Sequence, residues 1–250
     1  IYQNSILKDS SRNSFMIKRM EDLADRTIWA MGEQLKCGDF VPFVFEHKFN
    51  MEVGDGDRKQ LMSGTIDRVD ICENDTDVYV RIIDYKTGKK DFNIVKTYYG
   101  IDIQLMVYME AAMKLVAKMR PGKNVLPAGV FYYNISDPIV SATNESAEEI
   151  EDKIKGELRL KGMVNSDKDI AEKMDNTEGT SLNIPVSRKA DGGFDSRRSK
   201  VMNTEQFNML GRFVDVRAID TADRIAGGDI RRSPYKGGSI PDERQDKKST

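Results

Sequence analysis

The chain has 250 residues, a formal net charge of −2 and a pI of about 5.7. With 39% hydrophobic and 32% charged residues, it has the composition of a globular protein with a core and a heavily solvated surface. We find no run of about 18 apolar residues and therefore predict no membrane span. Two cysteines and one histidine, His47, argue against a disulfide framework and against a zinc site built from Cys and His. Without a net positive charge, binding to DNA would need a local cationic patch.

The beginning of the chain, IYQNSILKDSSRNSF, lacks the basic and then apolar arrangement of a signal peptide. Because it also does not begin with Met, we expect a fragment of a longer chain. Few cysteines and no signal peptide favour a cytoplasmic location.

The first half of the chain predicts one helix followed by three strands. Apolar residues at helical spacing mark a helix over 13–36, and Gly38 and Pro42 end it. Alternating residues separated by short turns then predict strands at 43–53, 61–72 and 78–86. Three strands in succession with tight turns are typical of an antiparallel meander.

A second helix is predicted over 101–118, and a fourth strand over 126–135. The helical crossover between strands is long enough for the fourth strand to pair in parallel with an earlier one. The fold class is therefore α/β, with a core about 13–135 and a further, mostly helical part over 140–236 of one domain, 1–236. In that part we predict a helix at 146–163, a charged stretch at 167–175, an exposed hairpin with a cationic end at 188–200, a helix at 203–228 and a polar, disordered tail at 237–250.

Charged residues at the ends of two neighbouring strands indicate a metal site. Asp67 lies near the end of the second strand, and Asp84 lies at the end of the third. If the two carboxylates lie side by side, a hard divalent cation such as Mg²⁺ or Mn²⁺ would relieve their repulsion. The backbone carbonyl of Tyr85 can add an oxygen ligand. Glu46 on the first strand can reach the same cluster or equally pair with a surface cation such as Lys48.

Lys86 is two residues beyond Asp84, so the two side chains share a strand face. An ammonium group there can orient a water that attacks a phosphate. Gln104 and Tyr108 lie at i and i+4 of the next helix, where they can bind phosphate or brace the lysine. Acid, acid and lysine without histidine suits metal-assisted phosphodiester hydrolysis.

Each of these residues also has a structural interpretation. The pair of Asp84 and Lys86 can be an exposed salt bridge, and Asp67 can cap a turn. Asp70 competes with Asp67, but we expect it on the opposite strand face in a surface or ion-pair role. Gln104 and Tyr108 can be ordinary helix packing. The charged groups near the strand end and in the hairpin can be solvated surface or can contact a DNA backbone; they are Lys89, Lys90, Arg197, Arg198 and Lys200.

The segments GTIDRVD, IIDYKTG and YYGIDIQLMVYMEAA resemble, in this order, the PD-(D/E)XK nuclease superfamily and within it the RecB-type modules. The resemblance is closest to nuclease domains of the AddB type, and it extends over most of the chain. It implies a Mg²⁺- or Mn²⁺-dependent exonuclease or endonuclease that cuts single-stranded DNA during double-strand break processing, beside a helicase–nuclease partner subunit of the AddA type. The residues at its motif positions are Asp67, Asp84, Lys86, Gln104 and Tyr108.

Two departures from this pattern limit the resemblance. AddB-type domains usually hold an iron–sulfur cluster, but the segment SPYKGGSIPDERQDKKST has no cysteine, so we predict no cluster in this chain. The metal-binding histidine of many relatives falls upstream of Ile1. We therefore keep a second hypothesis, a nuclease-fold module without catalysis that binds DNA or scaffolds a helicase complex. A third, an unrelated structural metal domain, does not explain Lys86.

Overall fold

A six-stranded mixed sheet forms the centre of the protein. The structure, a computed structural model, describes residues 10–54, 59–141 and 143–231. The strands lie in chain order across the sheet. They are β1 (Val41–Val53), β2 (Gln60–Glu73), β3 (Asp77–Lys86), β4 (Asn124–Asn134), β5 (Lys161–Asn165) and β6 (Val201–Met202).

Six helices in the described residues cover this sheet or extend from it. Two of the longer ones begin with the caps that their sequences favour: the Ser10 side chain accepts from the Asn13 amide, and Asn203 forms a capping box with Gln206. The helices are α1 (Ser11–Lys36), α2 (Ile94–Tyr98), α3 (Gln104–Met119), α4 (Ala147–Glu157), α5 (Lys168–Met174) and α6 (Thr204–Ala226).

The direction of the strands confirms the predicted α/β core. Strands β1, β2 and β3 form an antiparallel meander, and β4 pairs with β3 in parallel after the crossover through α3. Strand β5 is antiparallel to β4, and β6 is parallel to β5, so the second half of the chain extends the same sheet. The parallel pair matters for the site because it places the end of β4 beside the end of β3.

Two apolar clusters pack on the two faces of the sheet. The first joins Ile66 and Ile82 to Leu105 of α3 and Phe207 of α6. The second joins residues such as Ile83 to α1 and α5. Burial on both faces explains why β3 reads as an almost continuous apolar run.

One predicted helix is wrong in its last part. The pattern over 146–163 predicts a helix throughout, but α4 ends at Glu157 and the chain then forms β5. Gly162 explains the change. A Cβ there would collide with the carbonyl oxygen of Val130, so only glycine lets β5 approach β4 this closely. Pairing across the sheet overrides the helical pattern of the preceding residues.

The other predictions for the second half are met in part. The charged stretch 167–175 contains α5, and the interval 188–200 holds a single isolated antiparallel bridge, Arg188–Phe194, rather than a full hairpin. The predicted tail, 237–250, lies outside the described residues. Within the described ranges, no helix is both long enough and apolar enough to cross a membrane.

Candidate active site

The pairing of β2 with β3 brings Asp67 next to Asp84. Arg68 lies opposite Ile83, and the same register continued by one residue places Asp67 across from Asp84. The backbone N–H of Tyr85 donates to Asp67 Oδ2 at 2.7 Å. This hydrogen bond crosses between the strands and fixes the Asp67 carboxylate at the end of β3. The two carboxylates are therefore neighbours, as their positions in the sequence suggested.

Asp84 is buried, with 2% of its surface exposed. Burial raises the pKa of its carboxyl above the ordinary value, and Asp67 also raises it, while the Lys86 and Lys90 ammonium groups act in the opposite direction. A buried carboxylate next to a second carboxylate is costly unless cations are bound to it.

Lys86 provides one positive charge for this carboxylate. Its Nζ forms an ion pair with Asp84 Oδ2, and its side chain keeps 28% of its surface exposed. The ammonium group also lies 5.7 Å from the centre of the Tyr132 ring. Lys86 therefore lies between the buried carboxylate and solvent.

A set of interacting polar residues that the sequence did not reveal borders the site on the β4 side. Tyr132 lies opposite Asp84 in the parallel register, and its hydroxyl donates to Asp102 Oδ1 at 2.7 Å. Lys90 Nζ lies 3.3 Å from the same Asp102 oxygen and 5.3 Å from the centre of the Tyr132 ring. Burial, and then this hydrogen bond to Asp102, raise the pKa of Tyr132, so the phenol stays protonated as a donor.

The backbone of Lys90 is held by Asn134 at the end of β4. The Lys90 N–H donates to Asn134 Oδ1 at 3.0 Å, and Asn134 Nδ2 donates to the Lys90 carbonyl at 2.9 Å. Only the parallel register of β3 and β4 could have revealed this contact, because 44 residues separate the two partners. Sequence reasoning named Lys90 but not the residue that positions it.

Gln104 and Tyr108 meet as predicted on one face of α3. Gln104 Nε2 donates to the Tyr108 hydroxyl at 2.9 Å. The Tyr108 ring packs edge-on against Phe49, with 5.8 Å between the ring centres. A Cβ on Gly64 would lie 2.9 Å from the Phe49 ring and 3.3 Å from the Tyr108 ring, so glycine permits this close packing.

Glu46 lies on β1 beside the Asp67 position but has an unusual backbone. Its φ of 48° is in the left-handed region, which a non-glycine residue adopts at a cost in free energy. The residues on either side, Phe45 and His47, pair with Arg68 and Ile66. Glu46 is exposed and has no ion pair with any residue that the structure describes, so the suggested pairing with Lys48 is not found.

The predicted DNA-contacting cations fall into two groups that the fold brings together. Lys89 is exposed next to Lys90, and Arg197 and Arg198 are exposed in the loop before β6. Lys200, in the same loop, forms an ion pair with Asp91, which directly follows Lys90. This ion pair connects the loop before β6 to the chain that leaves the site.

The Asp70 side chain lies on the opposite face of the sheet from that of Asp67, as predicted from its spacing, but it is buried rather than on the surface. Its Oδ1 atom accepts from Arg68 Nε at 2.6 Å, and its Oδ2 atom accepts from Arg68 Nη2 at 2.8 Å and from Arg81 Nε at 2.9 Å. The Arg81 guanidinium stacks on the Phe40 ring. Asp70 therefore has the ion-pair role and does not compete with Asp67.

The carboxylate oxygens of Asp67 and Asp84 are ligands of the kind that a hard divalent cation prefers. Asp84 lies near the end of β3, but Asp67 lies in the middle of β2 rather than near its end as predicted. The two neighbouring carboxylates have one ammonium group, that of Lys86, in an ion pair. No group of three or more His, Cys, Asp or Glu side chains suited to a metal occurs among the described residues. A cation here would therefore complete its coordination with backbone carbonyl, water or phosphate oxygens, as is common for Mg²⁺.

The chain is similar in sequence to known proteins over most of its length. The B-type subunit of an ATP-dependent helicase/deoxyribonuclease from Clostridium botulinum strain Hall is 36% identical over 242 residues, which is 92% of this chain and 21% of that protein. Subunits of the same name are 36% identical in Lachnoclostridium phytofermentans, over 94% of this chain and 21% of that protein. In Caldanaerobacter subterraneus subsp. tengcongensis the identity is 37%, over 92% of this chain and 20% of that protein. The chain thus spans about a fifth of the length of these relatives. The profile of the PD-(D/E)XK nuclease superfamily matches residues 2–238, and the chain belongs to this superfamily.

Proposed function

We propose that this chain is a metal-dependent deoxyribonuclease domain that hydrolyses phosphodiester bonds of single-stranded DNA. The observation that carries the proposal is the Asp84 carboxylate: it is buried, it lies next to the Asp67 carboxylate, and it forms an ion pair with Lys86. A carboxylate pair that the protein leaves partly uncompensated is a site for a cation rather than a structural salt bridge.

Asp67, Asp84 and the Tyr85 carbonyl are the groups that would hold Mg²⁺ or Mn²⁺. When bound, the cation supplies positive charge for the phosphate and lowers the pKa of a water molecule. The Tyr85 amide keeps Asp67 oriented through its 2.7 Å hydrogen bond. Lys86 holds a positive charge at the boundary between the buried carboxylate and solvent, where it can orient both the water and the scissile phosphate.

Other residues bind and position the substrate in this proposal. The Gln104 amide and the Tyr108 hydroxyl form one polar pair on α3 that can contact phosphate oxygens or brace Lys86. The exposed cations Lys89, Arg197 and Arg198 can contact the DNA backbone, which predicts binding that weakens with salt.

The relatives' name suggests a biological setting. They are named as B-type subunits of an ATP-dependent helicase/deoxyribonuclease. We propose by similarity that the domain works within a helicase–nuclease of the AddAB type, where it cuts a strand delivered by the motor during processing of double-strand breaks. Its partner would be the AddA-type subunit.

Cleavage of labelled single-stranded DNA with Mg²⁺ or Mn²⁺ tests the proposal. We expect the parent chain to cut and the Asp84→Asn and Lys86→Met variants to lose activity by about a thousandfold or more, equivalent to about 4 kcal/mol of transition-state free energy. Matched controls on exposed residues, Asp75→Asn and Lys118→Met, should retain the parental rate.

Two outcomes would contradict the proposal in different ways. A parent chain that binds DNA but does not cut it would support the alternative, a nuclease-fold module without catalysis. Equal cutting by the parent and by Asp84→Asn would show that the hydrolytic site lies elsewhere.

A further inference from the structure

Three aromatic side chains form an exposed cluster between α2 and α6. The Tyr98 ring stacks on Phe213, with 5.3 Å between ring centres and 5° between ring planes. Tyr99 meets Tyr98 edge-on, also at 5.3 Å. Tyr98 is 58% exposed and Tyr99 is 45% exposed, so neither ring is part of the core. We call these three residues the aromatic platform.

The aromatic platform differs from the isolated apolar side chains that are common on protein surfaces. Single exposed apolar side chains are normal on proteins, but contiguous ones are typical of binding sites. Ile94 and Ile101, at the two ends of the same short segment, are 48% and 51% exposed. One face of the Tyr98 ring packs on Phe213 of α6, and the residue nevertheless remains 58% exposed.

The platform is tied to the edge of the candidate active site. Its segment leaves the site after Lys90, whose backbone Asn134 holds, and returns to it at Asp102, whose side chain accepts from Tyr132. The Thr97 hydroxyl donates to the Asp102 carbonyl at 2.9 Å, which fixes the end of α2. Four residues separate Tyr98 from Asp102, so their Cα atoms lie at most about 14 Å apart.

Positive charge accompanies the aromatic rings. The Arg217 guanidinium lies 6.0 Å from the centre of the Phe213 ring and 4.0 Å from Asp220, and Lys96 is exposed in the last turn of α2. Aromatic rings beside cations, close to a hydrolytic site, are the combination with which proteins hold unpaired nucleotides: the rings stack on bases, and the cations contact phosphates.

We propose that the aromatic platform stacks unpaired bases of the DNA strand whose backbone lies at Asp84 and Lys86. The ligand class is single-stranded nucleic acid, bound without sequence preference because every base has a stacking face. The inference rests on the proposed nuclease function, since it assigns the base-binding part of the same site. Double-stranded DNA, with its bases stacked on each other, would not use the platform.

Binding measurements in a chain that does not cut separate this inference from catalysis. In the Asp84→Asn background with EDTA, fluorescence anisotropy would compare a labelled oligo-dT with an abasic oligonucleotide of equal length. We expect Tyr98→Ala to weaken oligo-dT binding roughly five- to a hundredfold and to leave abasic binding unchanged, as expected for the loss of one stacked base. Tyr98→Phe keeps the ring and should bind within about twofold of the background.

Two further variants keep the test decisive. Tyr98→Leu retains an apolar contact with Phe213 without an aromatic face and should show the same selective loss as Tyr98→Ala. Phe15→Ala removes a 66% exposed aromatic ring from α1 and should change neither affinity. Oligo-dT binding unaffected by Tyr98→Ala and Tyr98→Leu, or an equal loss on the abasic strand, would overturn the inference.

The failure of this inference is distinguishable from the failure of the proposed function. Base-dependent binding that requires Tyr98, in a chain whose Asp84-containing parent does not cut DNA, would support the platform and contradict the nuclease. Cutting by the parent, without base-dependent binding at Tyr98, would do the opposite.

Discussion

Asp70 and Asp84 are buried carboxylates on neighbouring strands, and the protein compensates their charges differently. Asp70 is fully buried and accepts three hydrogen bonds from the guanidinium groups of Arg68 and Arg81. Asp84 is 2% exposed, has the Lys86 ammonium as its ion-pair partner, and lies next to a second carboxylate, Asp67. The first arrangement is complete without any further ligand. The second sets two neighbouring carboxylates against one ion-paired ammonium group.

This difference separates a structural ion pair from the proposed functional site within one sheet. A buried charge that has all its partners stabilises one conformation, and removing a partner leaves an uncompensated charge. A buried charge with too few partners raises the free energy of the folded protein until a ligand binds. Burial alone therefore does not distinguish Asp70 from Asp84; the number of charged partners around each carboxylate does.

The largest expected effect is on stability at Asp70. Asp70→Asn would leave the buried guanidinium groups of Arg68 and Arg81 without an anion, so we expect the free energy of unfolding to fall by about 3–5 kcal/mol. Urea denaturation without metal would measure this decrease in the free energy of unfolding. Asp84→Asn is the matched control and should be as stable as the parent or more stable. A smaller loss at Asp70 than at Asp84 would contradict the comparison.

An intermediate effect is expected from the cation. Mg²⁺ should raise the free energy of unfolding of the parent, by about 2.7 kcal/mol at a concentration a hundred times the Kd. The gain should disappear in Asp84→Asn and persist in Asp75→Asn, an exposed carboxylate in the turn between β2 and β3. Thermal melts over a Mg²⁺ titration would measure both. A gain that survives Asp84→Asn would place the cation elsewhere.

The smallest expected effect concerns a third carboxyl group, that of Asp215. Among the described residues it has no arginine as an ion-pair partner, and it is not part of the candidate cation site. It lines a cavity between α3 and α6, and Glu110 lines the same cavity. Burial, and then Glu110, raise the pKa of Asp215 from 3.8 to about 7. The folded protein therefore holds a proton on Asp215 in a range where the unfolded chain has lost it.

The sign of the pH dependence follows from this raised pKa. The stabilisation by the proton is complete below pH 3.8 and is lost as the pH rises through about 7. The free energy of unfolding of Asp215→Asn minus that of the parent should therefore rise by about 1 kcal/mol from pH 5 to pH 8, after allowance for solvent screening. Denaturation at the two pH values would measure it. A difference that does not change with pH would refute the raised pKa of Asp215.

Much of the fold could be predicted because its periodic signals are local. The alternation in 43–53 and 61–72 gave strands that differ from β1 and β2 by at most two residues at either end. The spacing of Asp84 and Lys86, and of Gln104 and Tyr108, was enough to place each pair on one face. These relations depend only on strand and helix geometry.

The rest depends on pairing between distant parts of the chain. Strand β5 has five residues after a helix and is set by its contact with β4 at Gly162. Asp102 and Tyr132 border the site only because β4 lies parallel to β3 in one register. Nor does sequence spacing show that Asp70 is buried between two arginines, since Arg81 comes from the neighbouring strand.

Asn134 has a practical consequence for following the site in solution. It binds only main-chain atoms of Lys90, so the backbone at position 90 does not depend on the side chain there. The thiol introduced by Lys90→Cys would inherit the same place at the edge of the site, and the native thiols, buried Cys72 and half-buried Cys37, are less accessible competitors for a label. Position 90 is therefore a suitable attachment point for a spin label or fluorophore that reports when a strand enters.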